Sequence, residues 1–132
     1  MKNFKQYTIL IVDDEETLRD TMVFDFKRKG FTVLSAENGV AAFELVKVNK
    51  VHLVISDMRM PGGDGMSLLE QIRTHYPGIP NVIFITGFAD VTEEAAIAKG
   101  AKKVLSKPFD RKVLMNSVLE ALLSTAIPAK TA

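Results

Sequence analysis

The sequence predicts an α/β fold: a parallel sheet of five strands covered by helices on both faces. Short apolar, β-branched runs alternate with longer amphipathic stretches along the chain. The runs are apolar throughout rather than at every second residue, which is the pattern of strands buried on both sides. A length of 132 residues with 47% hydrophobic residues suits one compact domain with a core of its own.

The first strand is Thr8-Ile9-Leu10-Ile11-Val12, ended by Asp13-Asp14. A helix follows over about 15–29, with Leu18, Met22, Phe24 and Phe26 as core candidates, and Gly30 closes it. Phe31 to Ser35 is the second strand and Gly39 to Val48 the second helix. The third strand, Val51 to Ser56, is almost wholly apolar and runs into Asp57. Pro61, Gly62, Gly63 and Gly65 mark a loop, and Met66 to His75 is helical through Leu68, Leu69 and Ile72. Tyr76-Pro77-Gly78-Ile79-Pro80 turns the chain into the fourth strand, Val82 to Thr86. Thr92 to Lys99 is a short helix closed by Gly100, and Lys103 to Ser106 is the fifth strand. Asp110 caps a last helix reaching about Leu123. Residues 124–132 are small and polar around Pro128 and read as a frayed end or the start of a linker.

Composition excludes several chemistries. The chain has no cysteine, which removes disulfides, thiolate metal sites and cysteine nucleophiles. Its net charge of +1 gives no footprint for nucleic acid or an anionic membrane. Residues 1–7 lack the apolar stretch of a secretory signal, and no run approaches the roughly 18–20 residues that span a bilayer. The expected location is the cytoplasm.

Open parallel sheets bind ligands beyond the carboxyl ends of their strands. There the sequence delivers Asp13 and Asp14, Asp57, Thr86 and Lys107, from four different strands. Crowded carboxylates repel unless a cation neutralises them. With no His or Cys beside them the ligand set is all oxygen, which suits Mg²⁺ or Mn²⁺. Positioning and charge neutralisation are what phosphoryl transfer requires, and an Asp carboxylate is a covalent acceptor of phosphate. Lys107 and Thr86 would meet phosphoryl oxygens, with the backbone amide of Gly87 as a third contact. Each residue also has a plainer reading. Asp13 and Asp14 serve equally well as helix caps, Thr86 as a strand residue, Lys107 as a surface lysine, and Asp64 and Gly65 as the turn into a helix. His52 and His75 read as structural or exposed. The joint placement at one sheet edge is what favours chemistry.

With those residues in place, the sequence resembles the receiver domain of bacterial two-component response regulators. The matching segments are Ile9 to Glu15, Val54 to Pro61, Gly63-Asp64-Gly65, Phe84 to Gly87 and Lys107-Pro108-Phe109, in order, between about Thr8 and Leu123. The resemblance implies a flavodoxin-like sheet of order 2-1-3-4-5 within residues 1–123. It implies that Asp57 accepts phosphate from a sensor histidine kinase or phosphotransfer protein, and from small acyl phosphates. It implies that Asp14 binds Mg²⁺ directly, Asp13 partly through water, and the Arg59 carbonyl as a further ligand. Lys107 and Thr86 would hold the phosphoryl group, and the Lys107–Pro108 bond would be cis. Phosphorylation would shift the face made by the fourth helix, fifth strand and fifth helix, which serves an output domain or a homodimer. One position departs from the pattern. Val104 stands where many members carry an aromatic residue, so the relay from Thr86 would differ, through backbone shifts or through Phe88 or Phe109. Arg59 and Phe88 would flank the phosphate entrance and slow water attack. A second class is a Mg²⁺-dependent phosphatase with an aspartyl-phosphate intermediate, and a third is an unphosphorylated receiver-like interaction module. Adjacent aspartates after the first strand and the lack of room for a cap domain count against the phosphatase.

Overall fold

The computed structural model describes residues 4–62, 64–87 and 93–131, with backbone alone for 124–131. The expected roles of Gly63, Phe88 and Thr92 therefore lie outside the described residues. Five strands, β1 (Thr8–Val12), β2 (Thr32–Ala36), β3 (Leu53–Asp57), β4 (Asn81–Thr86) and β5 (Lys103–Ser106), form one parallel sheet of order β2-β1-β3-β4-β5. The helices are α1 (Glu16–Lys29), α2 (Gly39–Val48), α3 (Gly65–His75), α4 (Glu93–Ala98) and α5 (Arg111–Thr131).

The strands are apolar throughout because alternate residues enter two different cores. Leu10, Val12, Val54, Val82 and Phe84 pack with Phe43, Val46, Leu68, Leu69 and Ile72 of α2 and α3. Ile9, Ile11, Ile55, Ile83 and Ile85 pack with Met22, Phe26, Leu114 and Val118 of α1 and α5. Each such side chain contributes about 1.5–3 kcal/mol on full burial.

Local signals set the ends. Gly30 adopts φ 113° and donates to Lys27 O and Phe26 O, while Phe31 N–H also donates to Phe26 O at 3.1 Å. That use of Phe31 is why β2 begins at Thr32 rather than at Phe31. Asn38 and Asp64 cap α2 and α3 by accepting from Ala41 N–H and Ser67 N–H. Asp110 Oδ1 accepts from Lys112 N–H at 2.7 Å, as a cap of α5 should. The α5 backbone stays helical beyond Leu123 to Thr131, so most of the segment expected as a frayed tail is helix. Ala126 and Ala129 favour helix there, while Pro128 removes one helical hydrogen bond. The bonds Lys107–Pro108 and Ile79–Pro80 are cis, the second without a counterpart in the sequence reading. Among the described residues no helix is long and apolar enough to cross a membrane.

Phe24 corrects an expectation. It is 59% exposed, with the Arg28 guanidinium 5.7 Å from its ring centre. Met22 and Phe26 are four residues apart and share the buried face, whereas a residue two positions from each points the other way. Phe26→Ala is therefore expected to cost about 3–5 kcal/mol. Phe24→Ala should cost within about 0.5 kcal/mol, as surface changes do. Urea unfolding of both variants checks the assignment, and comparable losses would contradict it.

Candidate functional site

The parallel topology carries the ends of β1, β3, β4 and β5 to one edge. Asp13 follows β1 and Lys107 follows β5, while Thr86 is the last residue of β4. Asp57 is the last residue of β3 rather than the residue after it, because the ladder pairs it with Ile85. This seats its carboxylate in the sheet edge, with Asp57 only 6% exposed.

Carboxylate oxygens of Asp13, Asp14 and Asp57 lie within 4.8 Å of one another. At such separations two like charges repel by roughly 3–4 kcal/mol at an effective dielectric constant of about 20. Lys107 Nζ relieves part of this, at 3.1 Å from Asp57 Oδ2 and 3.9 Å from Asp13 Oδ2. Asp57 Oδ1 accepts from Met58 N–H at 2.7 Å, with Arg59 N–H at 3.5 Å, a weak second contact. The two oxygens of Asp57 are thus fixed from opposite sides, one by backbone and one by the ammonium.

The two oxygens of Asp13 have different surroundings. Its Oδ1 does serve the turn, accepting from Glu15 N–H at 2.8 Å. Its Oδ2 is buried and has no hydrogen-bond partner. An ionised oxygen in that state is costly unless a cation completes it. The donor set, three carboxylates without nitrogen or sulfur, fits a hard divalent cation. Asp14 is exposed, at the mouth of the cluster.

Burial raises the Asp13 pKa above its ordinary 3.8, and the neighbouring Asp57 and Asp14 charges add to the rise. The Glu15 N–H and the Lys107 charge oppose it. For Lys107 burial works downward, but the Asp57 hydrogen bond and the charges of Asp57, Asp13 and Glu15 outweigh it, and the pKa is raised.

The remaining candidates fall around this centre. Thr86 is buried, and its carbonyl accepts from Lys107 N–H at 2.8 Å. Gly87 is exposed beside the Lys107 stem; a Cβ there would lie 3.8 Å from Lys107 Cβ. The Arg59 side chain is exposed, and of the pair expected at the phosphate entrance only Arg59 is among the described residues. Val104 is half-buried, opposite Phe84 across the β4–β5 ladder. Phe109 packs partly buried on the α1–α5 core. The histidines stay out of the site. His52 Nδ1 accepts from Thr8 N–H at the opposite sheet edge, and His75 is exposed on α3. Two contributors were not anticipated. Arg19 Nη1 donates to Asp13 O at 2.7 Å and holds the turn that carries the acidic pair. Gly65 N–H donates to Met58 O at 2.9 Å, beside the Asp57 amide contact.

A doubly wound sheet with carboxylates, a hydroxyl and an ammonium gathered at its carboxyl edge is compatible with a hard divalent cation there. The chain belongs to the response regulator receiver domain family, which it matches over residues 9–119. It is 34% identical over 119 residues to the transcriptional regulatory protein GlrR of Escherichia coli K12, covering 89% of this chain and 27% of that protein. It is 36% identical over 118 residues to the sensor kinase CckA of Brucella abortus, covering 87% of this chain and 12% of that one. Among solved structures it is similar to a response regulator receiver domain protein of Clostridium thermocellum, with TM-score 0.85, 29% identity, and coverage of 92% of this chain and 98% of that one. The chain spans about a quarter of the length of GlrR. It is a signalling domain of the receiver type found in two-component response regulators.

The raised Asp13 pKa sets a stability prediction. A group whose folded pKa is raised contributes stability below the unfolded value of 3.8 and loses it as pH rises through the folded value. At neutral pH the ionised Asp13 therefore opposes folding. In chelator, Asp13→Asn should raise the unfolding temperature of the domain. Magnesium should narrow that gap by stabilising the wild type. Thermal melts with and without chelator read both, and a destabilised variant in chelator would contradict the electrostatic account.

Proposed function

We propose that Asp57 is the phosphoacceptor, taking a phosphoryl group from a phosphohistidine on a sensor histidine kinase or phosphotransfer protein, or from a small acyl phosphate. The observation that carries the reading is the fixed carboxylate of Asp57 between Met58 N–H and Lys107 Nζ, beside Asp13 Oδ2, which has no hydrogen-bond partner. In the transfer the phosphorus–nitrogen bond of the donor breaks, an oxygen–phosphorus bond to Asp57 forms, and the donor imidazole keeps the electron pair. Mg²⁺ (or Mn²⁺) would be held by Asp13, Asp14, Asp57 and the Arg59 carbonyl, and when bound it neutralises charge on the phosphoryl oxygens.

The chain's own residues do the rest. Met58 N–H orients the Asp57 carboxylate. Lys107, freed from Asp57 Oδ2 as that oxygen's charge passes to the phosphoryl group, pairs with a phosphoryl oxygen. Thr86 donates its hydroxyl to another, and Gly87 offers its backbone amide. Phosphorylation then biases the α4–β5–α5 face, where Ile97 is exposed. With Val104 at its centre the relay runs without a ring at that position. An output domain or a second copy would read this face, in the cytoplasm where the kinase's phosphohistidine is made. The unphosphorylated interaction module is the alternative that the chemistry must exclude.

Incubation with an acyl phosphate and Mg²⁺ should add one acid-labile phosphoryl group, read by intact mass, and Asp57→Asn should abolish it. Unchanged labelling of that variant would remove Asp57 from its role. A wild type that takes no phosphate from any donor would leave the interaction module as the function.

A further inference from the structure

Helix α3 begins unusually close to the acceptor strand. A Cβ at Gly65 would lie 2.5 Å from the backbone oxygen of Asp57, 2.7 Å from Phe84 Cε1 and 3.1 Å from Met58 Cα. The Phe84 contact is with a ring wholly buried in the core; the other two are with backbone. The Asp57 carbonyl and the Met58 N–H belong to one planar peptide unit. That N–H is the group holding Asp57 Oδ1 at 2.7 Å. Gly65 therefore abuts one edge of the peptide whose other edge orients the carboxylate. Ser56 Oγ donates to the same Asp57 oxygen at 2.8 Å, and Gly65 N–H binds the next carbonyl, Met58 O, at 2.9 Å. The Arg59 carbonyl follows directly in the chain.

We propose that Gly65 is a positioning residue for the acceptor site: its missing side chain sets the plane of the Asp57–Met58 peptide, and through it the carboxylate and the cation-binding loop. The proposal rests on the reading of Asp57 as acceptor. A side chain at 65 forces either the peptide to rotate or α3 to retreat. Rotation draws Met58 N–H off Asp57 Oδ1, and retreat breaks Gly65 N–H from Met58 O. Both displace the carbonyl at Arg59.

The test compares the whole chain with Gly65→Ala and with Gly65→Ala combined with Phe84→Leu. The double variant removes the ring contact and keeps the backbone contact, so it supplies a folded protein if the single variant melts early. Three readouts apply: the Met58 amide resonance without metal, Mg²⁺ affinity by titration of amide shifts, and thermal stability. Both variants should show a displaced Met58 amide and Mg²⁺ binding weakened by about tenfold or more, as loss of a group that supports metal ligands does. The Phe84 change should recover stability without recovering the site. A wild-type Met58 amide and wild-type Mg²⁺ affinity in either variant would overturn the proposal, since Gly65 would then act only on core packing. Failure of the wild type to take phosphate would sink the acceptor reading instead, while the Met58 amide would still decide the role of Gly65.

Discussion

Lys107 Nζ stands against a cluster of three carboxylates at the carboxyl edge of the sheet, and much of the site follows from that imbalance. One ammonium cannot neutralise Asp13, Asp14 and Asp57 together. It sits 3.1 Å from one of them and 3.9 Å from a second, which leaves Asp13 Oδ2 buried without a hydrogen bond. The fold tolerates this because two cores on opposite faces hold the strands rigidly beneath the site. The unsatisfied negative charge is thereby kept in place, where a cation can complete it, rather than relaxed away.

Backbone groups then aim what the strands deliver. Met58 N–H fixes Asp57 Oδ1, Glu15 N–H fixes Asp13 Oδ1, and Arg19 holds the carbonyl of Asp13. Lys107 is tied to β4 through its own N–H on Thr86 O, so the ammonium and the threonine move as neighbours. A rearrangement at Thr86 upon phosphorylation would reach β5 through this bond and through the Phe84–Val104 pairing. That gives the signal a backbone route that needs no aromatic ring at 104.

Much of this was legible in the sequence. Apolar runs gave the strands, and polar residues at their carboxyl ends gave the site, because a parallel sheet gathers those ends at one edge. What escaped reading depends on three-dimensional approach or on phase. Phe24 was misplaced because hydrophobicity alone does not separate residues two apart on a helix; the 22–26 spacing does. Phe31 left β2 because its N–H closes the end of α1. Gly65 read as a turn residue, and nothing in the sequence shows that its Cα faces the Asp57 carbonyl. Arg19 has no motif of its own to mark it, since its partner is a backbone oxygen.

The central claim is that this edge carries an uncompensated negative charge that a hard divalent cation completes. Unfolding free energy measured against Mg²⁺ concentration tests it most directly, because a ligand that binds only the folded state stabilises by RT ln(1 + [L]/Kd). The account predicts a logarithmic rise in wild type whose fitted Kd agrees with direct titration, and a much flatter response when Asp13 and Asp57 are both replaced by Asn. A wild-type stability indifferent to Mg²⁺, or a rise of equal slope in the double variant, would contradict it.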